Sequence, residues 1–183
     1  DDVSNYVLLY HVAGVQKNGS YHKGLNGFFE EEDMLQVSLT VLTKLSRLES
    51  PDQTLYIDEN PAVFAARCMS YPESACMCMN GQPKLAALIA LELFAASGTA
   101  VYYSGDFDPE GLWIAQRLAI FYPGTFHFLN MDETSYLKCL SEEPISDTRL
   151  KQLDRITDSR LLGTVARMRI EKMAGYQEVL TLI

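Results

Sequence analysis

Four acidic residues in two short segments are the side chains of this sequence best suited to chemistry. Asp106, Asp108 and Glu110 alternate within Gly-Asp-Phe-Asp-Pro-Glu-Gly, and Glu59 follows the apolar segment Thr-Leu-Tyr-Ile-Asp. Carboxylates held close together repel one another, which raises their pKa values unless a cation neutralises them. Because oxygen donors suit Mg²⁺ or Mn²⁺, the pattern predicts a metal site completed by water and substrate phosphates.

The same acidic residues also have structural interpretations. Asp108 directly before Pro109 is typical of a helix N-cap, and Glu110 would favour the positive end of the helix dipole. Asp-x-Asp pairs also occur in EF-hand loops, phosphatases and glycosyltransferases. Arg117 stands where an EF-hand needs Glu, and Glu110 stands where the phosphatase motif has Thr. Nothing in the sequence indicates a nucleotide-sugar site, so none of these three alternatives is favoured.

The segments that carry these residues predict an α/β fold. Short apolar runs predict four strands, at 54–58, 75–79, 100–104 and 125–129. Helical segments lie between them, at about 61–69, 83–96 and 109–120. This alternation is typical of βαβ units and of a parallel sheet flanked by helices. Ligands of such sheets bind at the carboxyl ends of the strands, where we expect Glu59 and Asp106 to lie.

The flanking segments are predicted to extend this core, residues 54–130, at both ends. The N-terminal extension, residues 1–53, is predicted to contain a strand at 3–13, a loop at 16–27, a strand at 35–39 and a helix at about 40–48 with Thr40 as its N-cap. Residues 131–183 are predicted as a C-terminal helical extension, broken near Glu143-Pro144 and including a helix at 158–173. We expect one compact domain, and the start at Asp1 without Met indicates a fragment of a longer protein.

The charge of the chain is unevenly distributed. The 183 residues carry 15 basic and 24 acidic side chains, a net charge of −9. Such a balance argues against non-specific binding of nucleic acid, but not against an enzyme whose acidic cluster holds a metal. Residues 149–172 hold seven basic and three acidic side chains, a local charge of +4. This segment is either a solvated helical face or a surface where Arg160 and Arg167 contact a DNA backbone.

The remaining composition is that of a globular protein. Hydrophobic residues make up 48% and charged residues 21% of the chain, which excludes a disordered tail and a disulfide scaffold. No run of 18 residues lacks a charge, so we expect no membrane segment. The cysteines form no C-x-x-C motif, so a zinc site is not expected, and Cys76 and Cys78 are predicted to be apolar residues of a buried strand in a reducing cytosol.

Three motifs together resemble a Toprim domain. They are Glu59-x-x-x-Val63-Phe64, Gly81-x-Pro83 and Asp106-x-Asp108-Pro109-x-Gly111. The version they resemble is that of the topoisomerase VI A subunit and its meiotic double-strand-break relatives, and they are also similar to the nuclease subunit of bacterial Wadjet plasmid-defence systems. The resemblance covers about residues 54–130. It departs at Lys84, Ala87 and Leu88, where topoisomerase VI relatives have Asp and a Thr-Arg pair.

The resemblance implies metal-dependent cleavage of DNA. Asp106 and Asp108 would hold Mg²⁺ or Mn²⁺ at the scissile phosphate, and Glu59 would share that metal or act as general acid and base. Glu110 would hold a second metal. Phosphate contacts are expected from Asn80 and Gly81, at the end of the middle strand. DNA contacts of Arg160 and Arg167 are suggested by their shared helix face and not by the resemblance. Glu178, in a polar segment near the end of the chain, could also approach the site.

The expected partners follow from the same resemblance. They are DNA, a missing N-terminal domain of the same protein, an SMC-like complex that delivers DNA, and a second copy of the chain, in the bacterial cytoplasm and without a membrane. The nucleophile would be water or a tyrosine outside this fragment. One alternative is a Toprim-fold DNA-binding or assembly module with no independent activity. Another is a primase-type nucleotidyl transferase, although no nucleotide pocket is visible in the sequence.

Overall fold

The structure is a computed structural model that describes residues 4–181 and divides into two units. Within that range, unit 1 comprises residues 4–102 and 122–127, and unit 2 comprises residues 103–121 and 128–181. Among the described residues, no helix combines the length and apolar character needed to cross a membrane.

The elements that begin in unit 1 form its sheets and their covering helices. The strands are β1 (Tyr6–Tyr10), β2 (Ala13–Gln16), β3 (Leu35–Ser38), β4 (Leu45–Glu49), β5 (Thr54–Asp58), β6 (Cys76–Cys78), β7 (Ala100–Ser104) and β8 (Phe126–Phe128). The helices are α1 (Lys23–Glu30), α2 (Leu39–Leu42), α3 (Pro61–Ser70) and α4 (Leu85–Ala95).

Unit 2 consists mainly of helices with one small sheet. The helices are α5 (Pro109–Phe121), α6 (Glu133–Lys138), α7 (Asp147–Leu150), the 3₁₀ helix Lys151–Arg155, α8 (Leu162–Glu171) and α9 (Glu178–Thr181). Its strands β9 (Leu140–Pro144) and β10 (Met173–Gly175) pair in antiparallel orientation.

The main sheet has six strands in the order β3-β1-β6-β5-β7-β8. β5 and β6 pair in parallel, with Asp58 opposite Cys78. β1 runs antiparallel to both β3 and β6, so the sheet is mixed but mostly parallel. The predicted α/β fold with four strands between helices is therefore confirmed, and the N-terminal segment adds two further strands at one edge.

The strands and helices of this core form for local reasons. β6 is buried along its whole length, including Cys76 and Cys78, as expected for a strand that is covered on both faces. Asn60 caps α3, because its side-chain oxygen accepts the N–H of Ala62 at 2.7 Å, and Pro61 occupies the first turn. An Asn-Pro pair supplies both a capping acceptor and a φ angle suited to the first turn.

Three predictions for the N-terminal extension were wrong. The predicted strand at 3–13, whose residue 3 lies outside the described range, is two strands separated at His11, whose φ of 54° breaks the extended backbone. The predicted loop at 16–27 contains the start of α1, which the side chain of His22 caps by accepting the N–H of Leu25. The predicted helix at 40–48 is only one turn, α2, and its N-cap is Ser38 rather than Thr40.

The second half of that predicted helix is the strand β4. It pairs with β2 in antiparallel orientation, with Ala13 opposite Glu49. Leu45 and Leu48 are both buried, a spacing that suits a helix as well as the irregular β4 strand. The pairing with β2, about 30 residues away, favours the strand over the helix for this segment.

The C-terminal extension is also less helical than predicted. The break near Glu143-Pro144 is the end of strand β9, and Pro144 lies opposite Met173 of β10. The predicted helix at 158–173 is shorter at both ends. α8 begins only at Leu162, and Lys172, which adopts the left-handed conformation with φ of 55°, ends it.

A buried ion pair closes the carboxyl end of β5. Asp58 is fully buried, and its two oxygens accept hydrogen bonds from Nε and Nη2 of Arg67, each at 2.8 Å. The guanidinium of Arg67 also lies over the ring of Tyr56, 5.3 Å from its centre. This bidentate pair joins β5 to α3 and fixes the backbone from which Glu59 follows.

We predict that Arg67→Met lowers the free energy of unfolding by about 3 to 5 kcal/mol, because Asp58 is left as an unpaired buried charge. Arg169→Met is the control, since Arg169 pairs with an exposed Asp154 carboxylate and should change stability by less than about 1 kcal/mol. Urea unfolding would measure both variants. A loss for Arg67→Met no larger than that of the control would contradict the assignment.

Candidate active site

The acidic loop that follows β7 is anchored in unit 2 by its central residue. Phe107 is fully buried and exchanges two backbone hydrogen bonds with Gly175 of β10, at 2.8 and 2.9 Å. Its ring lies 5.5 Å from that of Tyr136, which is also fully buried. With Phe107 held in this way, the side chains of Asp106 and Asp108 on either side remain only partly buried.

Asp106 lies in a negatively charged, partly desolvated environment. Burial raises the pKa of Asp106, and the charges of Asp108 and Glu178 raise it further. The backbone N–H of Gln177 donates a hydrogen bond to Oδ1 of Asp106 at 3.1 Å, and this hydrogen bond lowers the pKa of Asp106. Among the described residues, no donor is hydrogen-bonded to its Oδ2. Asp106 therefore offers one carboxylate oxygen to a cation that would relieve the repulsion.

Asp108 has two structural partners. Its Oδ1 accepts the N–H of Gly111 at 2.6 Å, which is the N-cap arrangement expected before Pro109. Its Oδ2 accepts a hydrogen bond from Nη2 of Arg149 at 2.8 Å. Burial raises the pKa of Asp108 and Glu110 adds to that effect, whereas the hydrogen bond from Gly111 and the charge of Arg149 lower it.

Gly111 allows the acidic loop to pack closely against the first turn of α5. A Cβ atom at this position would lie 2.3 Å from the carbonyl oxygen of Asp106 and 3.2 Å from Oδ1 of Asp108. The first of these contacts is with backbone and cannot be relieved by a side-chain rotation. The glycine of Asp-x-Asp-Pro-x-Gly is therefore required by the close approach of the loop to the first turn of α5.

Arg149 is the site residue that the sequence did not single out. Its Nη2 lies 2.7 Å from Oε2 of Glu110, and its Nε lies 3.2 Å from the same oxygen. Gln152 also donates to Glu110, at 3.1 Å. The hydrogen bond from Arg149 holds the pKa of Glu110 below its usual range. Asp108 and Glu110 thus both form ion pairs with the single guanidinium of Arg149.

One residue of β9 and one residue directly after β10 border this cluster. Glu143 lies 3.8 Å from Nη1 of Arg149, close enough for an ion pair. The hydroxyl of Tyr176, directly after β10, donates a hydrogen bond to Glu143, which raises the pKa of Tyr176 to about 12. The charge of Glu178 contributes to the raised pKa of Asp106, and the approach of Glu178 to the site stays a prediction.

The candidate residues of unit 1 lie around the ends of β5 and β6. The carbonyl oxygen of Glu59 accepts the N–H of Gly81 at 3.1 Å, which joins the two segments. The N–H of Asn80 donates to Sγ of Cys78, and its side chain donates to the hydroxyl of Tyr6 at 3.1 Å. The backbone N–H groups of Asn80 and Gly81 are thus engaged within the protein, and the phosphate role of these two residues stays a prediction.

The two arginines expected to contact DNA are held in local ion pairs of unit 2. Arg160 forms two hydrogen bonds with Asp158, at 2.9 and 2.6 Å, and lies over the ring of Phe128. Arg167 pairs with Glu171 at 2.7 Å. The solvated-face interpretation accounts for both of these contacts, and the role of Arg160 and Arg167 in DNA binding stays a prediction.

The residues predicted to hold the metal ion belong to two different units of the structure. Asp106, Asp108 and Glu110 come together in unit 2, and Glu59 belongs to unit 1. Within residues 4–181, no three His, Cys, Asp or Glu side chains are arranged as a ready metal-binding group. The donor chemistry nevertheless fits Mg²⁺, which binds through one or two carboxylates plus water and phosphate. The guanidinium of Arg149 contacts both Asp108 and Glu110, so a positive charge already lies beside two of the predicted metal ligands.

The chain belongs to the family described as "Protein of unknown function C-terminus (DUF2399)", whose sequence profile matches residues 35–182. The match covers the acidic loop, both strand ends of unit 1 and Arg149. A comparison with curated proteins gives no match.

Gly111→Ala is expected to disrupt the acidic loop, because its new Cβ atom would collide with the backbone of Asp106. We expect a clear fall in the melting temperature, measured by circular dichroism. Gly163→Ala is the matched control, since Gly163 lies in the first turn of α8 and a Cβ atom there would meet no neighbouring group within 4 Å. The control should be neutral or stabilising by up to about 1 kcal/mol. Equal melting temperatures for the two variants would contradict this account of Gly111.

The pKa shifts predict opposite stability effects for two neighbouring acids. Because folding raises the pKa of Asp106, the folded state holds its proton more tightly, and stability falls as the pH rises from about 4 through the raised pKa. Asp106→Asn should therefore raise the melting temperature at pH 7, and this gain should shrink towards pH 4. Folding lowers the pKa of Glu110, so Glu110→Gln should lower the melting temperature at pH 7. Shifts of the same sign in both variants would contradict the assignment.

Proposed function

We propose that this chain cleaves DNA by phosphodiester chemistry that depends on Mg²⁺ or Mn²⁺. The observation that carries the proposal is the pair Asp106 and Asp108, two partly buried carboxylates with raised pKa values directly after strand β7. Partly buried carboxylates with raised pKa values carry a desolvation cost in their charged form, and a bound cation relieves that cost. The carboxyl end of a strand in a mostly parallel sheet is also where ligands of α/β proteins bind.

In this proposal Asp106 and Asp108 are the metal ligands. When bound, the metal ion would neutralise charge on the phosphoryl oxygens and orient an in-line displacement. Oδ2 of Asp106 is the oxygen best placed to take part, because its Oδ1 is already hydrogen-bonded to Gln177. Gly111 and the buried Phe107 keep the two carboxylates in a fixed loop, so little conformational entropy is lost on binding.

Glu59 is proposed as the residue that shares the metal or moves a proton on the attacking or leaving oxygen. It directly follows Asp58, which the bidentate contact with Arg67 holds in place, and its own carbonyl oxygen is tied to Gly81. Rigid support of this kind is what a proton-transfer group needs. The motifs around Glu59, Gly81 and Asp106 are also those that resemble a Toprim domain, and we propose a Toprim-like nuclease on that basis.

A second function is supported by a different observation. Arg149 already neutralises Asp108 and Glu110, so the chain could bind DNA or assemble with partners without cleaving by itself. The partners we propose are DNA, a further domain of the same protein, a second copy of the chain and an SMC-like complex. The two functions differ in whether the purified chain nicks DNA.

Nicking of supercoiled plasmid in Mg²⁺ and in Mn²⁺ tests the proposal directly. We expect the wild type to nick, and Asp106→Asn and Glu59→Gln each to reduce the rate by about 100-fold or more. Asp154→Asn is the control, because Asp154 is an exposed carboxylate paired with Arg169, and it should nick at the wild-type rate.

Each outcome distinguishes the functions. Nicking that Asp106→Asn and Glu59→Gln abolish, and that Asp154→Asn retains, supports the nuclease. Nicking that survives both substitutions overturns the assigned site. No nicking by a wild type that retards plasmid in a gel favours the binding module.

A further inference from the structure

We propose that Arg149 is an internal cation that competes with a divalent metal ion for Asp108, so that the metal binds only when the guanidinium moves away. This inference rests on the proposed metal site and adds a residue that controls its occupancy. It concerns unit 2 alone, because Arg149 and all of its partners belong to that unit.

The contacts of Asp108 leave a metal ion little room beside Arg149. Its Oδ1 faces the N–H of Gly111 at 2.6 Å, and its Oδ2 faces Nη2 of Arg149 at 2.8 Å. The first contact caps α5 and belongs to the fold. The second is the contact that a metal could replace. A metal ion that shared Oδ2 with the guanidinium would lie next to a positive charge, and the repulsion would oppose its binding.

Arg149 is held by electrostatic contacts that can be exchanged. About 31% of its side chain is exposed, in contrast to Arg67, where 14% is exposed and the partner Asp58 is fully buried. A guanidinium does not lose its proton in a protein, so it can leave Asp108 only by moving. Glu143, 3.8 Å from Nη1 of Arg149, provides another carboxylate that can receive it. The same nitrogen, Nη2, is shared between Asp108 and Glu110, so displacement breaks one contact of several.

The opposing hypothesis is that Arg149 positions Asp108 for the metal ion. A positioning residue supports its partner, so its removal should weaken metal binding. A competing cation blocks its partner, so its removal should strengthen metal binding. The two hypotheses therefore predict effects of opposite sign on one measured quantity.

Titration with Mn²⁺, followed by the loss of the electron paramagnetic resonance signal of the free ion, measures that quantity without any nuclease assay. We expect Arg149→Gln to lower the Kd for Mn²⁺ at least tenfold relative to wild type. Arg169→Gln should leave the Kd within twofold, although it removes the same charge from an ion pair elsewhere in unit 2. Adding Asp108→Asn to Arg149→Gln should remove the gain.

A charge-preserving variant keeps the test valid if Arg149→Gln does not fold, which circular dichroism would reveal. Arg149→Lys retains the charge but lacks the planar fork that reaches Asp108 and Glu110 together. It should bind Mn²⁺ more tightly than wild type. If Arg149→Lys folds and its Kd for Mn²⁺ is unchanged or higher than that of wild type, the proposal is overturned.

The remaining outcomes separate this inference from the proposed function. Equal Mn²⁺ affinity in wild type and Arg149→Gln, lost in Asp108→Asn, overturns the competition and leaves the metal site intact. Weaker binding by Arg149→Gln overturns the competition in favour of positioning. Absence of binding in both wild type and Arg149→Gln overturns the competition together with the metal site. Binding by Arg149→Gln alone supports it.

Discussion

The two backbone hydrogen bonds between Phe107 and Gly175 are the constraint on which the candidate site depends. They tie the acidic loop after β7 to strand β10, near the end of the described chain. Because Phe107 is fully buried between its two acidic neighbours, it fixes the backbone from which Asp106 and Asp108 project. The same strand is followed by Gln177, whose N–H reaches Asp106, and by Glu178, whose charge acts on it. The electrostatics of the loop are therefore set by residues about 70 positions away.

Charge compensation takes two forms in this protein. In unit 1, Asp58 is fully buried and is held by both nitrogens of one arginine, so the pair is part of the core. In unit 2, Asp108 shares Arg149 with Glu110 at a partly exposed position. Desolvation makes the first pair costly to break, whereas the second can exchange with solvent ions at low cost. A permanent pair suits a structural role, and an exchangeable pair suits a site that accepts a metal ion.

This contrast links the two proposals for function. A cluster of carboxylates that must remain folded before its metal arrives needs a temporary counter-ion, and Arg149 is suited to that role. The proposed nuclease and the proposed binding module then differ in whether the guanidinium leaves Asp108. The net charge of −9 argues against non-specific DNA binding, so either function would depend on a local arrangement of charges.

Local sequence signals were enough to predict the central α/β elements and the acidic loop. The strands at 54–58 and 100–104 were predicted with their observed bounds, and the Asn60-Pro61 start of α3 and the Asp108 cap of α5 are local signals. Long-range contacts established that residues 45–49 pair with β2, that β9 and β10 form a sheet, and that Arg149 contacts Asp108 from 41 residues away. Caps and apolar runs act within a few residues, so a sequence displays them. Pairing partners and counter-ions depend on the path of the whole chain, which no local pattern records.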